Sequence, residues 1–336
     1  MTGGVLVKSK KTVIEVSMKV DILVSLSLIF TMGLIAYGCQ RSPEVPKRLH
    51  PGDHSFAIKV GSLERKYTVH VPPSYDGREP VPVVIMFHGG GGKASAAMEE
   101  TGWSEKADQE GFLAVFPEAT PPDLSKPSSF RTNPQTWNDG SGRFHSGQLD
   151  IDDVGFVNAM IDDLLTRLAI DQQRIFATGF SNGASMVFRA GVELSHRIAA
   201  IAPVSGHLWL KTLELTRPVP LIYIFGLADP LNPFEGGEVP GVGRRPPIAA
   251  SPLKWAELLG CSLERKVIYD QNGVKGVIYA PCRRNSEVVF YTVEGLGHTW
   301  PGGRSLLPES LVGKTSDKLK ANDVIWEFFK KHPMKQ

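Results

Sequence analysis

The sequence predicts an α/β architecture, a mostly parallel central sheet with helices on both faces. Three observations lead there. Short apolar, β-branched runs alternate with longer segments of helical period. The runs are apolar almost throughout rather than at every second residue, as strands buried on both faces must be. Finally, 336 residues at 42% hydrophobic and 21% charged can bury one substantial core.

The N-terminal segment differs from the rest of the chain. Lys8, Lys10 and Lys11 precede an apolar run from Ile22 to Gly38, which is marginal in length for a membrane span of about 20 residues. Residues 1–39 read as an export signal, with Met18 as a second possible start despite the nearby Asp21. Small residues ahead of Cys39 and the polar Gln40-Arg41-Ser42-Pro43 after it resemble a bacterial lipoprotein processing site. Cys39 is therefore the expected site of lipidation, giving a membrane anchor at the periplasmic face or cell surface. Ala36 stands where leucine is usual and Tyr37 is bulky, so plain signal cleavage with secretion, or an uncleaved anchor, stay open. A polar linker, 40–53, leads to the folded domain at 54–336.

Within that domain the expected strands are Tyr67 to Val71, Val81 to Phe87, Phe112 to Phe116, Arg174 to Thr178, Ile198 to Val204, Leu221 to Phe225 and Val288 to Val293. The first two are expected to pair as an antiparallel edge. Helical patterns cover Ala94 to Gln109, Asp153 to Leu168, Asn182 to Leu194, Ser251 to Leu259 and Ser316 to Lys331. In such a sheet, function collects at the carboxyl ends of the strands.

The sharpest motif is Gly179-Phe180-Ser181-Asn182-Gly183, between a strand and a helix. This is a G-x-S-x-G elbow in the context the motif requires, which makes Ser181 a candidate nucleophile rather than a helix cap. The N–H of Asn182 would then point from the helix N-terminus at a developing oxyanion. A second motif, His88-Gly89-Gly90-Gly91-Gly92, follows the strand Val81 to Phe87. Backbone N–H groups of Gly89 and Gly90 are the expected remainder of the oxyanion hole, since glycines let a substrate carbonyl come close. A phosphate loop is the competing reading, but Gly91-Gly92 runs into Lys93-Ala94 without the Lys-Ser/Thr pair it needs. His88 is expected to stabilise the loop, not to act as a base.

Asp229 and His298 each lie on a loop after a strand, and the chain order Ser181, Asp229, His298 is that of the α/β-hydrolases. In that arrangement a neutral imidazole takes the serine proton while the carboxylate fixes its tautomer. Asp270, in a presumed hairpin, and His332, in the tail, are the weaker competitors.

Cys261 and Cys282 would be the remaining cysteines of an exported chain, and an even pair there is expected to be bridged, two buried thiols being the alternative. They flank Lys266 to Ala280, which reads as a strand, a glycine-containing turn and a second strand. No CxxC or His/Cys cluster suggests a metal, and no cofactor motif is present. A net charge of +2 with scattered basic residues speaks against a nucleic-acid partner.

Ala177 to Ala184, Ala199 to Gly206, Ala228-Asp229-Pro230 and Gly297-His298-Thr299-Trp300-Pro301-Gly302-Gly303 together resemble the polyhydroxybutyrate depolymerase and feruloyl esterase family of α/β-hydrolases. The resemblance runs from about His54 to the C-terminus and takes in Trp137-Asn138-Asp139-Gly140 and Asp152 to Phe156. It implies an esterase with the triad Ser181, Asp229 and His298, and often a cysteine pair where Cys261 and Cys282 stand. Phe180 and Ala184 depart from the family, which commonly has methionine and glycine there; both bear on the shape of the acyl pocket. The implied substrates are feruloyl or aryl esters, acetylated polysaccharides and hydroxyalkanoate esters. A serine peptidase on the same fold, or an inactive lipid-anchored binding protein, are the other classes; the interval from His54 to Ser181 leaves no room for a peptidase cap, and all three triad positions are intact.

A long irregular stretch, Glu118 to Asp150, carries Phe130, Trp137 and Phe144, while Trp300 lies two residues past His298. Trp137 and Trp300 are the expected aromatic contacts to an aryl ring or sugar face, unless they pack the loops onto the sheet.

Overall fold

The computed structural model describes residues 49–334, so the expected signal 1–39, lipidation at Cys39 and most of the linker lie outside the described residues. The elements, in chain order, begin with β1 (Gly52–Val60), β2 (Leu63–Val71), β3 (Val81–Phe87), α1 (Ala94–Thr101), α2 (Trp103–Glu110) and β4 (Leu113–Pro117). After the long loop come α3 (His145–Gln148), α4 (Asp153–Arg167), β5 (Ile170–Phe180), α5 (Asn182–Glu193), β6 (Ile201–Val204) and β7 (Leu221–Gly226). The C-terminal part holds β8 (Gly237–Val239), β9 (Gly243–Arg245), α6 (Ala250–Leu258), β10 (Arg265–Gln271), β11 (Val274–Tyr279), β12 (Val288–Val293), α7 (Glu309–Val312) and α8 (Ala321–Lys331).

A 10-stranded sheet runs in the order β1-β2-β4-β3-β5-β6-β7-β12-β11-β10, with β8 and β9 forming a separate 2-stranded hairpin. From β4 to β12 every pairing is parallel, and antiparallel ribbons close both ends. The central strands are buried on both faces. In β3, Val83, Ile85 and Phe87 enter one core with residues of α4, α5 and α6. Val84 and Met86 enter the other, with residues of α1, α2 and α8. The second core is sealed by Phe329 of α8 stacked on Phe176 of β5 at 4.5 Å and Trp326 on Phe112 at 4.4 Å.

Two expectations need correction. The antiparallel edge is not made by Tyr67 to Val71 with Val81 to Phe87: β2 pairs with β1 and β4, and β3 sits at the centre between β4 and β5. A strand apolar on both faces, as β3 is, belongs inside, whereas β1 shows the alternating exposure of an edge. β1 begins at Gly52. The single helix expected over Ala94 to Gln109 is two, because Gly102 adopts a left-handed φ of 68° that ends α1 and redirects the chain into α2.

Cys261 and Cys282 form a disulfide, with Cα atoms 3.8 Å apart across a sequence separation of 21. Between them β10 and β11 pair antiparallel around Asn272-Gly273, both at positive φ, as a tight hairpin turn requires. Among the described residues no helix is long and apolar enough to cross a membrane.

Candidate active site

Ser181 stands where β5 turns into α5, with φ 56° and ψ −118°. A non-glycine residue there costs on the order of 1–3 kcal/mol and persists only where its surroundings impose it. Here the surroundings do so. The Ser181 N–H donates to Val204 O at 3.0 Å, and its carbonyl accepts from Ser185 N at 3.1 Å. The crossing is too close for side chains on either flank: a Cβ at Gly179 would come 2.7 Å from Gly183 O, and one at Gly183 would strike the carbonyl oxygens of Phe87 and His88. The glycines of the elbow thus lay the helix against β3 and leave the serine outermost.

The other two residues are delivered by neighbouring strands. β7 and β12 run parallel in register, with Gly226 opposite Val293, so the loops that follow them leave the sheet side by side. Leu227 N donates to Val293 O at 2.9 Å and Ala228 N to Leu296 O at 2.9 Å, stitching those loops together. Asp229 and His298 consequently meet: Asp229 Oδ2 lies 2.7 Å from His298 Nδ1, and His298 Nε2 lies 2.8 Å from Ser181 Oγ. The other carboxylate oxygen of Asp229 accepts from Leu231 N at 2.8 Å and Asn232 N at 2.9 Å, which holds the acid in place. With Nδ1–H directed to the carboxylate, the Nε2 lone pair faces the serine hydroxyl. Asp270 is exposed on β10, and His332 lies at the end of α8 against Phe328 O; the structure brings neither to Ser181.

Gly90 and Asn182 line a cleft of ≈ 270 Å³ together with Ser181 and His298. Among the described residues no acceptor meets the backbone N–H of Gly90 or of Asn182. Gly89 packs behind the serine, where a Cβ would lie 3.5 Å from Ser181 Cβ. The glycine loop is held from outside. Gly91 N donates to Gln135 O at 2.6 Å, Gly92 N to Gly89 O at 2.9 Å, and Trp137 Nε1 to His88 O at 2.9 Å. His88 itself is fixed as a neutral ring: its Nδ1–H donates to Gly89 O at 2.8 Å and its Nε2 accepts from Ala119 N at 3.1 Å. Burial pushes it down to about 4. It braces the loop.

The tryptophans do not face the cleft. Trp137 is fully buried, edge-on to Phe87 at 5.2 Å, and Trp300 is buried with its Nε1–H on Asn322 Oδ1 at 2.9 Å. Trp300 walls a separate small cavity of ≈ 30 Å³ that also touches His298. They pack the loops onto the sheet, and the phenyl rings lining the cleft are instead Phe130 and Phe144. A fully buried indole needs an acceptor for its N–H, and both find one in the backbone or in Asn322 rather than in the cleft.

Several residues that the sequence motifs did not single out complete the cleft. Asn232 Oδ1 accepts from His207 Nε2 and Arg245 Nε, both at 3.1 Å, while its Nδ2 donates to Ser205 O at 3.2 Å. Arg143 lies over the Trp209 ring at 4.2 Å and pairs with Asp139 at 3.1 Å. The arginines come from a loop and from β9, far apart in sequence, so no motif marks them.

Comparison with known proteins agrees with this architecture. Residues 75–239 match the family model described as phospholipase/carboxylesterase. NocK of Nocardia uniformis subsp. tsuyamanensis, provisionally named an esterase, is 28% identical over 81% of this chain and 80% of its own length. Feruloyl esterase B of Piromyces equi is 27% identical over 71% of this chain, which spans only 44% of that protein. The acetyl xylan esterase structure from Aspergillus awamori superposes with a TM-score of 0.52 at 14% identity, over 73% of this chain and 94% of that one. Sheet order, the strand-to-helix crossing at Ser181 and these matches together show the α/β-hydrolase fold.

Proposed function

We propose that the protein is a serine carboxylesterase in which Ser181 attacks the ester carbonyl, His298 serves as general base and then general acid, and Asp229 orients and stabilises the imidazole. The observation that carries this reading is the unbroken chain from Asp229 Oδ2 through His298 to Ser181 Oγ, at 2.7 and 2.8 Å, opening on a cleft. As Ser181 Oγ bonds to the carbonyl carbon, its proton passes to His298 Nε2 and the carbonyl oxygen takes the negative charge. The N–H groups of Asn182 and of the Gly89-Gly90 turn would receive that charge, aided by the N-terminus of α5. Collapse expels the alcohol with the proton from His298. Water then repeats the sequence on the acyl-enzyme and regenerates Ser181.

Esters of aryl, feruloyl, acetyl and hydroxyalkanoyl type all suit this machinery, and Phe130 and Phe144 at the cleft favour a flat or extended apolar group. An exported location is supported by the Cys261–Cys282 disulfide, which persists in oxidising compartments, and by the apolar run Ile22 to Gly38 that lysines precede and Cys39 follows. The test is hydrolysis of nitrophenyl acetate and methyl ferulate by wild type, Ser181→Ala and His298→Ala. Loss of three or more orders of magnitude in both variants, with native melting curves, is expected. Turnover by Ser181→Ala within tenfold of wild type would overturn the mechanism.

A further inference from the structure

A buried guanidinium is tolerated when a carboxylate neutralises it, and costs several kcal/mol when none does. The cleft beside Ser181 contains one of each kind. Arg143 pairs with Asp139 Oδ2 at 3.1 Å. Arg245, on β9, is 94% buried, yet among the described residues no carboxylate comes within ion-pair distance of it. Its partners are neutral: Asn232 Oδ1 at 3.1 Å and, more distantly, Arg244 O at 3.4 Å.

The neighbouring acids are committed elsewhere. Asp139 accepts from Arg143, from Asn182 Nδ2 at 2.9 Å and from Ser141 N at 3.0 Å. Asp229 is spent on His298 and two backbone N–H groups. Glu238, exposed on β8, faces Arg244 in the hairpin register rather than Arg245. Arg143 adds to the excess of donors, since its Nε is buried without a partner. Both arginines line the cleft that holds Ser181. Burial first and each other's proximity second push Arg245 down to about 10, so the guanidinium stays charged at neutral pH.

Resting on the esterase reading of Ser181, we infer that Arg245, with Arg143 beside it, is a carboxylate-binding subsite, and that the favoured substrates are esters carrying a free carboxylate. A carboxylate there would fill the fork of Arg245 that Asn232 leaves open, in the planar two-oxygen geometry guanidinium groups prefer. Asn232 couples the subsite to chemistry, because it touches Arg245 through Oδ1 and Asp229 through its N–H. A hydroxy-acid oligomer with a free acid end, or an esterified acidic sugar, presents this chemistry.

Two arms separate the sources. In the acyl arm, mono-nitrophenyl glutarate is compared with nitrophenyl pentanoate. In the alcohol arm, 3-acetoxybutyrate is compared with its amide. The wild-type kcat/KM ratio of anionic to neutral ester is expected to exceed tenfold in one arm, and to fall about tenfold in Arg245→Gln while Arg245→Lys keeps part of it. Ratios at or below one in both arms, or a ratio unchanged in Arg245→Gln, would overturn the subsite. Binding gives a readout without turnover: calorimetry on Ser181→Ala should show monomethyl glutarate bound and its neutral ester-amide, methyl 5-amino-5-oxopentanoate, not. Equal binding of both would also overturn the subsite. If no ester is hydrolysed by wild type yet the carboxylate binds, the esterase reading fails and the subsite stands.

Discussion

The side chain of Asn182 holds the backbone of Trp137 at both ends: its Oδ1 accepts Trp137 N at 2.7 Å and its Nδ2 donates to Trp137 O at 3.2 Å. The residue after the nucleophile therefore clasps the loop that in turn braces the glycine turn through Trp137 Nε1 and His88 O. Asn182→Ala keeps the backbone N–H but opens this clasp. A fall in stability of about 1–3 kcal/mol is expected from the unpaired backbone groups, together with a lower kcat at little changed KM. Urea unfolding and nitrophenyl acetate kinetics check both; a changed KM at constant kcat would mean that Asn182 contacts substrate instead.

Trp137 and Trp300 are predicted to act on stability and not on substrate choice. Trp137→Ala should cost about 3–5 kcal/mol as a large cavity opens. Any activity loss should be equal on methyl ferulate and nitrophenyl acetate. Phe130→Ala and Phe144→Ala, by contrast, should shift the ratio of those two activities, because their rings line the cleft.

Acid should destabilise the fold through two buried neutral histidines. Burial pushes His88 and His207 down to about 4 from an ordinary value near 6.5. The unfolded chain then binds protons that the folded one does not, so this contribution is complete above pH 6.5 and is lost as pH falls toward 4. Each histidine accounts for roughly 3 kcal/mol across that window. Tm measured from pH 7.5 to 4.5 should fall, and less steeply in His88→Gln relative to its own value at pH 7.5.

Opening the disulfide should lower stability by roughly 3 kcal/mol on the chain-entropy model, for a loop of 21 residues, and leave the active site intact. Melting curves of Cys261→Ser/Cys282→Ser beside wild type, with kcat on nitrophenyl acetate, test it. A large loss of kcat with unchanged Tm would run against it.

Much of this was legible in the sequence because local patterns carry it. β3 and β12 occupy the residues their apolar runs mark, and the elbow, the acid loop and the base loop follow strands as their spacing implies. What was hidden depends on burial or on distant pairing. β1 was missed since its alternating GDHSFAIKV run lacks the continuous apolar stretch that marks the other strands. Trp137 stood out by size, yet nothing local says which way an indole on a loop turns. Arg143 and Arg245 come to line one cleft only when the loop preceding α3 and the β8–β9 hairpin reach it, and no periodicity reports such a convergence.

The most direct test of the account is to trap the acyl-transfer nucleophile. Wild-type protein is treated with one equivalent of a fluorophosphonate, digested and mapped by mass spectrometry. The prediction is a single adduct on Ser181, loss of ester hydrolysis in proportion to labelling, and no adduct in either Ser181→Ala or His298→Ala on the same time scale. Stoichiometric labelling at another residue, or full ester turnover by protein labelled at Ser181, would contradict it.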